Sequence, residues 1–166
     1  MATDTLPTTN EAYVPIGKGE PILRNDGREI SLLVANENLS LTYAGRAAGE
    51  RVTDLHVHQH AEAFYVLEGE LTFEVGAERE KITIGAGGFV AVPANVAHSY
   101  GTACSHPTSW LIIHARDGGF AAFMRGIRDE VKVEWDIAPA PLDGGLPADH
   151  AIVSRPLSEL PRGQRR

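Results

Sequence analysis

The stretch that decides the fold reads His56-Val57-His58-Gln59-His60-Ala61-Glu62-Ala63-Phe64-Tyr65-Val66-Leu67-Glu68-Gly69. Three of the chain's seven histidines fall here within five residues, and a glutamate follows at once. In extended chain, residues two apart point to the same face. His56 and His58 therefore aim both rings at one point. Imidazole and carboxylate are the donors that suit divalent first-row metals. Glu62 needs a turn or bulge after His58, or else it opens the next strand. Phe64 and Val66 share its parity and are expected to point the same way, Val66 as ordinary core.

Downstream, Leu71-Thr72-Phe73-Glu74-Val75 alternates apolar and polar residues, the pattern of a half-buried strand. Glu68-Gly69 reads as a tight turn joining it to an antiparallel Phe64–Leu67, and residues 76–80 as a second turn into Lys81–Ile84. Phe89–Val92 stops at Pro93, which cannot donate to a ladder. His98 follows, and to join the other ligands it must arrive from a strand lying opposite. Ser109–Ala115 is the last strong strand. Upstream, Ile30–Ala35 and Leu39–Tyr43 are separated by the turn formers Asn36, Glu37 and Asn38. Short strands punctuated this way predict an all-β sandwich or barrel. One segment breaks the rhythm: Phe120, Phe123, Met124 and Ile127 follow helical spacing, with Asp117 as the expected N-cap. The helix is expected to lay this stripe against the outside of the barrel.

The 166 residues suit one domain. Residues 1–12 read as a mobile tail, 13–135 as the folded domain, and 136–166 as a Pro/Gly-rich extension in which Ala151-Ile152-Val153 is a candidate edge strand. A net charge of -7 argues against non-specific nucleic-acid binding, which needs a basic footprint. Cys104 is the single cysteine, so neither an internal disulfide nor a Cys-type zinc cluster can form. Neither a signal peptide nor a membrane-length apolar run is read, and the expected location is the cytoplasm.

These residues resemble the cupin superfamily. Its first motif is matched by Gly49, then six residues, His56-Val57-His58, three residues, Glu62, six residues and Gly69, one residue longer after Gly49 than the family pattern. Its second motif is matched by Gly87, Pro93, His98 and Thr102 at the family spacing, with Asn95 in place of a glycine and Thr102 in place of an asparagine. Asn tolerates the left-handed conformation that such a turn needs. The seventeen residues between Gly69 and Gly87 hold one hairpin, and the resemblance spans roughly residues 40–115. It implies a double-stranded β-helix, or jelly roll, with a C-terminal helix. It also implies a site for one divalent ion (Fe, Mn, Ni, Co, Cu or Zn) on His56, His58, Glu62 and His98. His60 shares parity with His58 and competes as a ligand. Members of the family are usually homodimers, so a second copy is an expected partner.

Glu62 is also the candidate general base, because a carboxylate accepts protons. Tyr43, Phe64, Tyr100, Trp110 and His114 are candidate walls of a substrate pocket, His114 being either a proton relay or a hydrogen-bonded wall residue. His106 and His150 are expected in solvent. The run 56–70 and the helix after Trp110–Ile113 resemble small cupins of the quercetin 2,3-dioxygenase type. The resemblance implies an oxygenase acting on a small aromatic or enolic substrate. The alternatives are a non-oxidative isomerase, lyase or decarboxylase, or a module that binds a small molecule without turnover.

Overall fold

The computed structural model describes residues 14, 19–25, 28–46, 52–102, 106–141 and 152–154. The tail at 1–12, Gly49, Cys104, His150, Ala151 and the closing residues 161–166 lie outside the described residues. In chain order the strands are β1 (Glu20–Asn25), β2 (Arg28–Asn36), β3 (Leu39–Arg46), β4 (His56–Val57), β5 (Ala61–Glu68), β6 (Glu70–Val75), β7 (Glu80–Gly85), β8 (Phe89–Val92), β9 (His98–Thr102) and β10 (Thr108–Ala115). Helix α1 (Phe120–Asp129) follows, then β11 (Ala138–Pro139) and β12 (Ile152–Ser154). One sheet runs β1-β2-β3-β10-β5-β8-β12 and the other β11-β4-β9-β6-β7, every pairing antiparallel. The chain is all-β with one helix, as the strand spacing predicts.

Local chemistry explains the turns. The Asn36 side chain accepts from the backbone N–H of Asn38 and Leu39 at 3.0 and 3.1 Å, which closes the β2–β3 hairpin. The turn at Gly69 does something other than expected. It does not pair β5 with β6. It carries the chain from the large sheet to the small one, where β6 pairs with β7 and β9. Gly69 has φ 74, and a Cβ there would sit 2.7 Å from the Pro107 carbonyl oxygen, so glycine is required for both conformation and space. Alternation alone fixes which side chains share a face. It does not say which sheet a strand joins.

Between the sheets, Phe64, Phe73, Trp110, Leu71 and Val66 are fully buried. Phe64 meets Phe73 edge to face with centroids 5.0 Å apart, a favoured aromatic arrangement. A second apolar cluster joins Ile22 of β1 and Ile30 and Leu32 of β2 to Phe120, Ala121 and Met124 of α1. Strand β1, Glu20-Pro21-Ile22-Leu23-Arg24-Asn25, carries no clear alternation that would mark it in the sequence. Its Glu20 anchors the helix by a two-point hydrogen bond with Arg125, Nε at 3.0 Å and Nη2 at 2.8 Å, and a further bond from Arg128. Helix α1 begins at Phe120 with Gly119 at the cap position, yet Asp117 still caps it, accepting from the N–H of Gly119 and Ala121.

The C-terminal segment belongs to the same sheets. β11 pairs with β4, and β12 adds to β8 at the edge of the large sheet. Among the described residues no helix is long and apolar enough to cross a membrane.

Candidate metal centre

Short β4 holds His56 opposite His98, the first residue of β9. His58 follows β4 in a turn, and Glu62 sits at the second position of β5. Glu62 therefore opens the next strand, without a bulge in β4. The two motifs are tied together by the backbone: Asn95, at φ 66, donates its N–H to the His58 carbonyl at 2.9 Å. Asn thus takes up the left-handed turn that glycine fills in the family pattern.

The donor atoms of His56, His58, Glu62 and His98 all lie within 4.8 Å of one another, and all four residues are buried. Each of the three histidines donates Nδ1–H to a backbone carbonyl: His56 to Asp54 at 2.7 Å, His58 to His60 at 2.7 Å and His98 to Val96 at 2.9 Å. That commits the tautomer and leaves every Nε2 as a bare lone pair in the neutral ring. Glu62 Oε2 then stands 3.0 Å from Nε2 of His58 and 2.8 Å from Nε2 of His98. A lone pair and a carboxylate oxygen are both acceptors, so these contacts need a proton or a cation between them. The set fits a divalent ion with three nitrogen donors and one oxygen donor.

Within the donor set, burial and neighbouring charge pull the pKa values in opposite directions. Burial works against a charged His58, but the hydrogen bond and charge of Glu62 outweigh it and raise its pKa. Burial favours a neutral Glu62, yet His114, His58 and His98 together hold its carboxyl well below 4.5. Burial, and then the like charge of His98, push His56 down to about 4.

His60 and His114 lie beside this set, His60 stacked on His58 and His114 reaching Glu62. His60 lies in a near-parallel stack on His58, with centroids 4.2 Å apart and 8° between planes. Its Nδ1–H meets Asp136 Oδ2 at 3.2 Å, and that oxygen also accepts from the Gln59 N–H. Burial, then the neighbouring His58, lower the His60 pKa against the pull of Asp136. Gly118 presses on this ring: a Cβ there would sit 2.6 Å from His60 Nδ1. His114 reaches in from β10, directly across from Glu62 in the ladder, with Nε2 3.3 Å from Glu62 Oε1 and Nδ1 3.4 Å from Ser40 Oγ.

A cavity of about 380 Å³ opens onto His56 and Glu62. Its walls include Tyr100, Ile112, Phe120, Phe123 and Trp135. The apolar stripe of α1 therefore faces this cavity and does not lie on the outside of the barrel. The stripe serves as one wall because Glu20 and the Ile30–Leu32 cluster draw the helix over the barrel mouth. Of the expected pocket residues, Tyr100 lines the cavity. Phe64 and Trp110 point inward but fill the barrel below it, and His114 contacts Glu62 away from the cavity wall. Tyr43 is a correction: it lies opposite Leu111, on the face away from the inward-pointing Thr42 and Ala44. The register of β3 decides its direction, since its even positions meet Trp110 and Ile112. Trp135 and Asp136 were missed. They meet His58, Gln59 and His60 from 75 to 77 residues along the chain, and no local pattern marks them.

The comparisons with known proteins agree with this architecture. The family described as the cupin domain matches residues 45–114. Over 81 residues, 49% of this chain, the sequence is 36% identical to quercetin 2,3-dioxygenase of Bacillus subtilis (strain 168), and the match spans only 23% of that enzyme. Among solved structures, an RmlC-like cupin from Shewanella frigidimarina NCIMB 400 superposes with a TM-score of 0.55 at 21% identity, covering 64% of this chain and 92% of that one. An RmlC-like cupin family protein with a double-stranded β-helix fold from Methanocaldococcus jannaschii gives 0.52 at 18% identity, covering 66% and 94%. At these identities the solved structures speak for the fold alone, and they speak for the same fold as the sequence match. By its two facing sheets and its motif turns the chain has the cupin fold, and its residues 45–114 match the cupin domain.

Proposed function

We propose that the chain is a metal-dependent cupin enzyme, an oxygenase acting on a small aromatic or enolic substrate in the manner of quercetin 2,3-dioxygenase. The observation that carries this reading is the cavity: it is largely apolar, walled by aromatic rings, and ends on His56 and Glu62. A volume of about 380 Å³ is in the range that takes drug-sized ligands. His56, His58, Glu62 and His98 would hold one divalent ion, which when bound supplies Lewis acidity and, for Fe, Mn, Co, Ni or Cu, redox capacity. The residues supply the rest. Phe120, Phe123, Trp135 and Tyr100 offer flat apolar faces that orient a planar ring and exclude water. Glu62 is the one carboxylate at the cavity floor among the four donors, and it accepts the proton that an enol or phenol must lose. The expected partners are this small molecule and a second copy of the chain, the latter checked by sedimentation velocity.

The test has two stages. Metal analysis of the purified protein beside His98→Ala should show one ion per site lost in the variant; equal content would remove the ligand assignment. Oxygen uptake with flavonols and with simple diketones is then the expected activity. Substrate turnover without oxygen uptake would move the reading to a non-oxidative isomerase, lyase or decarboxylase. Binding without turnover would leave a small-molecule-binding module.

A further inference from the structure

Five buried histidines gather at this end of the barrel, and the four-donor set uses three of them. The remaining two, His60 and His114, each bury an Nε2: that of His60 has no hydrogen-bond partner among the described residues, and that of His114 stands 3.3 Å from Glu62 Oε1 without hydrogen-bond geometry. His60 is 4% exposed and His114 is 0% exposed, so neither nitrogen is left to bulk water. Unpaired buried polar atoms are unfavourable and call for an explanation.

His60 cannot serve the ion held by His58. An imidazole donates along its ring plane, and a bound ion lies about 2 Å from the nitrogen. The His58 and His60 planes are 8° from parallel with centroids 4.2 Å apart, so no single point that close to both nitrogens lies in both planes. The two rings aim at neighbouring points. His60 also carries the outer partner of a metal-binding histidine, since its Nδ1–H is held by the Asp136 carboxylate. Glu62 reaches toward this pair through His114. Its Oε2 faces His58 and His98, while its Oε1 faces His114 at 3.3 Å. Donor atoms of His58, His60 and His114 lie within 4.8 Å of one another.

The geometry points to a second divalent-cation position, held by His60 Nε2, His114 Nε2 and Glu62 Oε1, with Glu62 bridging to the first. This inference rests on the four-donor reading only through Glu62, which the two positions share.

The test loads chelator-stripped protein with Co(II), removes loose ion and counts what remains. Wild type should keep two Co(II) per chain, and His60→Gln and His114→Gln one each, with thermal unfolding showing that the stripped variants are folded. A second measurement needs no variant: low-temperature EPR of the Mn(II)-loaded wild type should show a spin-coupled pair. One Co(II) in wild type, two retained in both variants, or an uncoupled Mn(II) spectrum overturns the second position. The two readings fail differently. A single Co(II) lost in His98→Ala leaves the four-donor site standing without the second. Co(II) lost in His60→Gln but unaffected by His98→Ala does the reverse, and no uptake at all removes both.

Discussion

Strands β5 and β10 run through two chemically opposite halves of one barrel. Their ladder pairs Glu62 with His114, then Phe64 with Ile112, then Val66 with Trp110. Two residues along each strand, the interior changes from a carboxylate ringed by imidazoles to a dry aromatic core. Both halves are equally buried: Glu62 is 4% exposed and His114, Phe64 and Trp110 are 0%. The difference lies in what burial accomplishes. Removing Phe64 or Trp110 from water contributes stability directly, about 1.5–3 kcal/mol for a large side chain. Burying Glu62 is unfavourable until cationic or hydrogen-bonding partners offset it. The apolar half holds the strands in register so that the polar half can keep donors at positions they would not otherwise choose.

A matched pair of substitutions tests that division most strongly. Phe64→Ala should lower unfolding free energy by about 3–5 kcal/mol while the folded protein still loads metal. Glu62→Gln should change the stability of metal-free protein by much less and weaken metal binding more than about a hundred-fold, beyond the usual loss from an outer-sphere change. Chemical denaturation and competitive metal titration read the two effects. If both variants lose stability and metal together, the halves are not separable.

A smaller effect is expected where the polar half is shaped by backbone. Gly118 has φ 57 and lies against the His60 ring. Gly118→Ala should cost about 1–2 kcal/mol for the left-handed conformation and displace His60, seen as a shifted histidine signal in NMR. An unchanged signal would show that the contact does not position the ring.

The smallest effect concerns the helix that walls the cavity. The hydrogen bond from Arg125 lowers the Glu20 pKa, burial opposes it, and Arg128 adds to the lowering. A depressed carboxyl contributes stability above its unfolded value, here near 4.5, and loses it as pH falls through the lower folded value. Both arginines are more than a third exposed, so screening limits Glu20→Gln to about 1 kcal/mol or less. The variant's stability deficit at neutral pH should shrink in acid, and a deficit constant down to pH 3 would contradict the ion pair.

Much of this was legible in the sequence for local reasons. Residues two apart in a strand share a face, so His56 with His58, and Glu62 with Phe64 and Val66, follow from counting. Asn95 was legible because few side chains accept a left-handed turn. What escaped was everything decided by long-range pairing. The sheet change at Gly69 depends on which strands β5 and β6 find. Tyr43 faces outward because of its register with β10. Asp136 reaches His60 only because β11 returns to β4, and the helix stripe faces the cavity because β1, itself unread, holds it there.

That return of β11 bears on the order of assembly. The two-residue strand that carries His56 gains its second neighbour only from Ala138–Pro139, about eighty residues later in synthesis. Pairings of such separation must overcome loop-closure entropy before they contribute, and they form late. During synthesis, the chain can therefore complete its aromatic half before its ligand strand is clamped. A nascent barrel would be packed at one end while its donors are still free to rearrange, which leaves the late-made β11 in control of when the site becomes rigid.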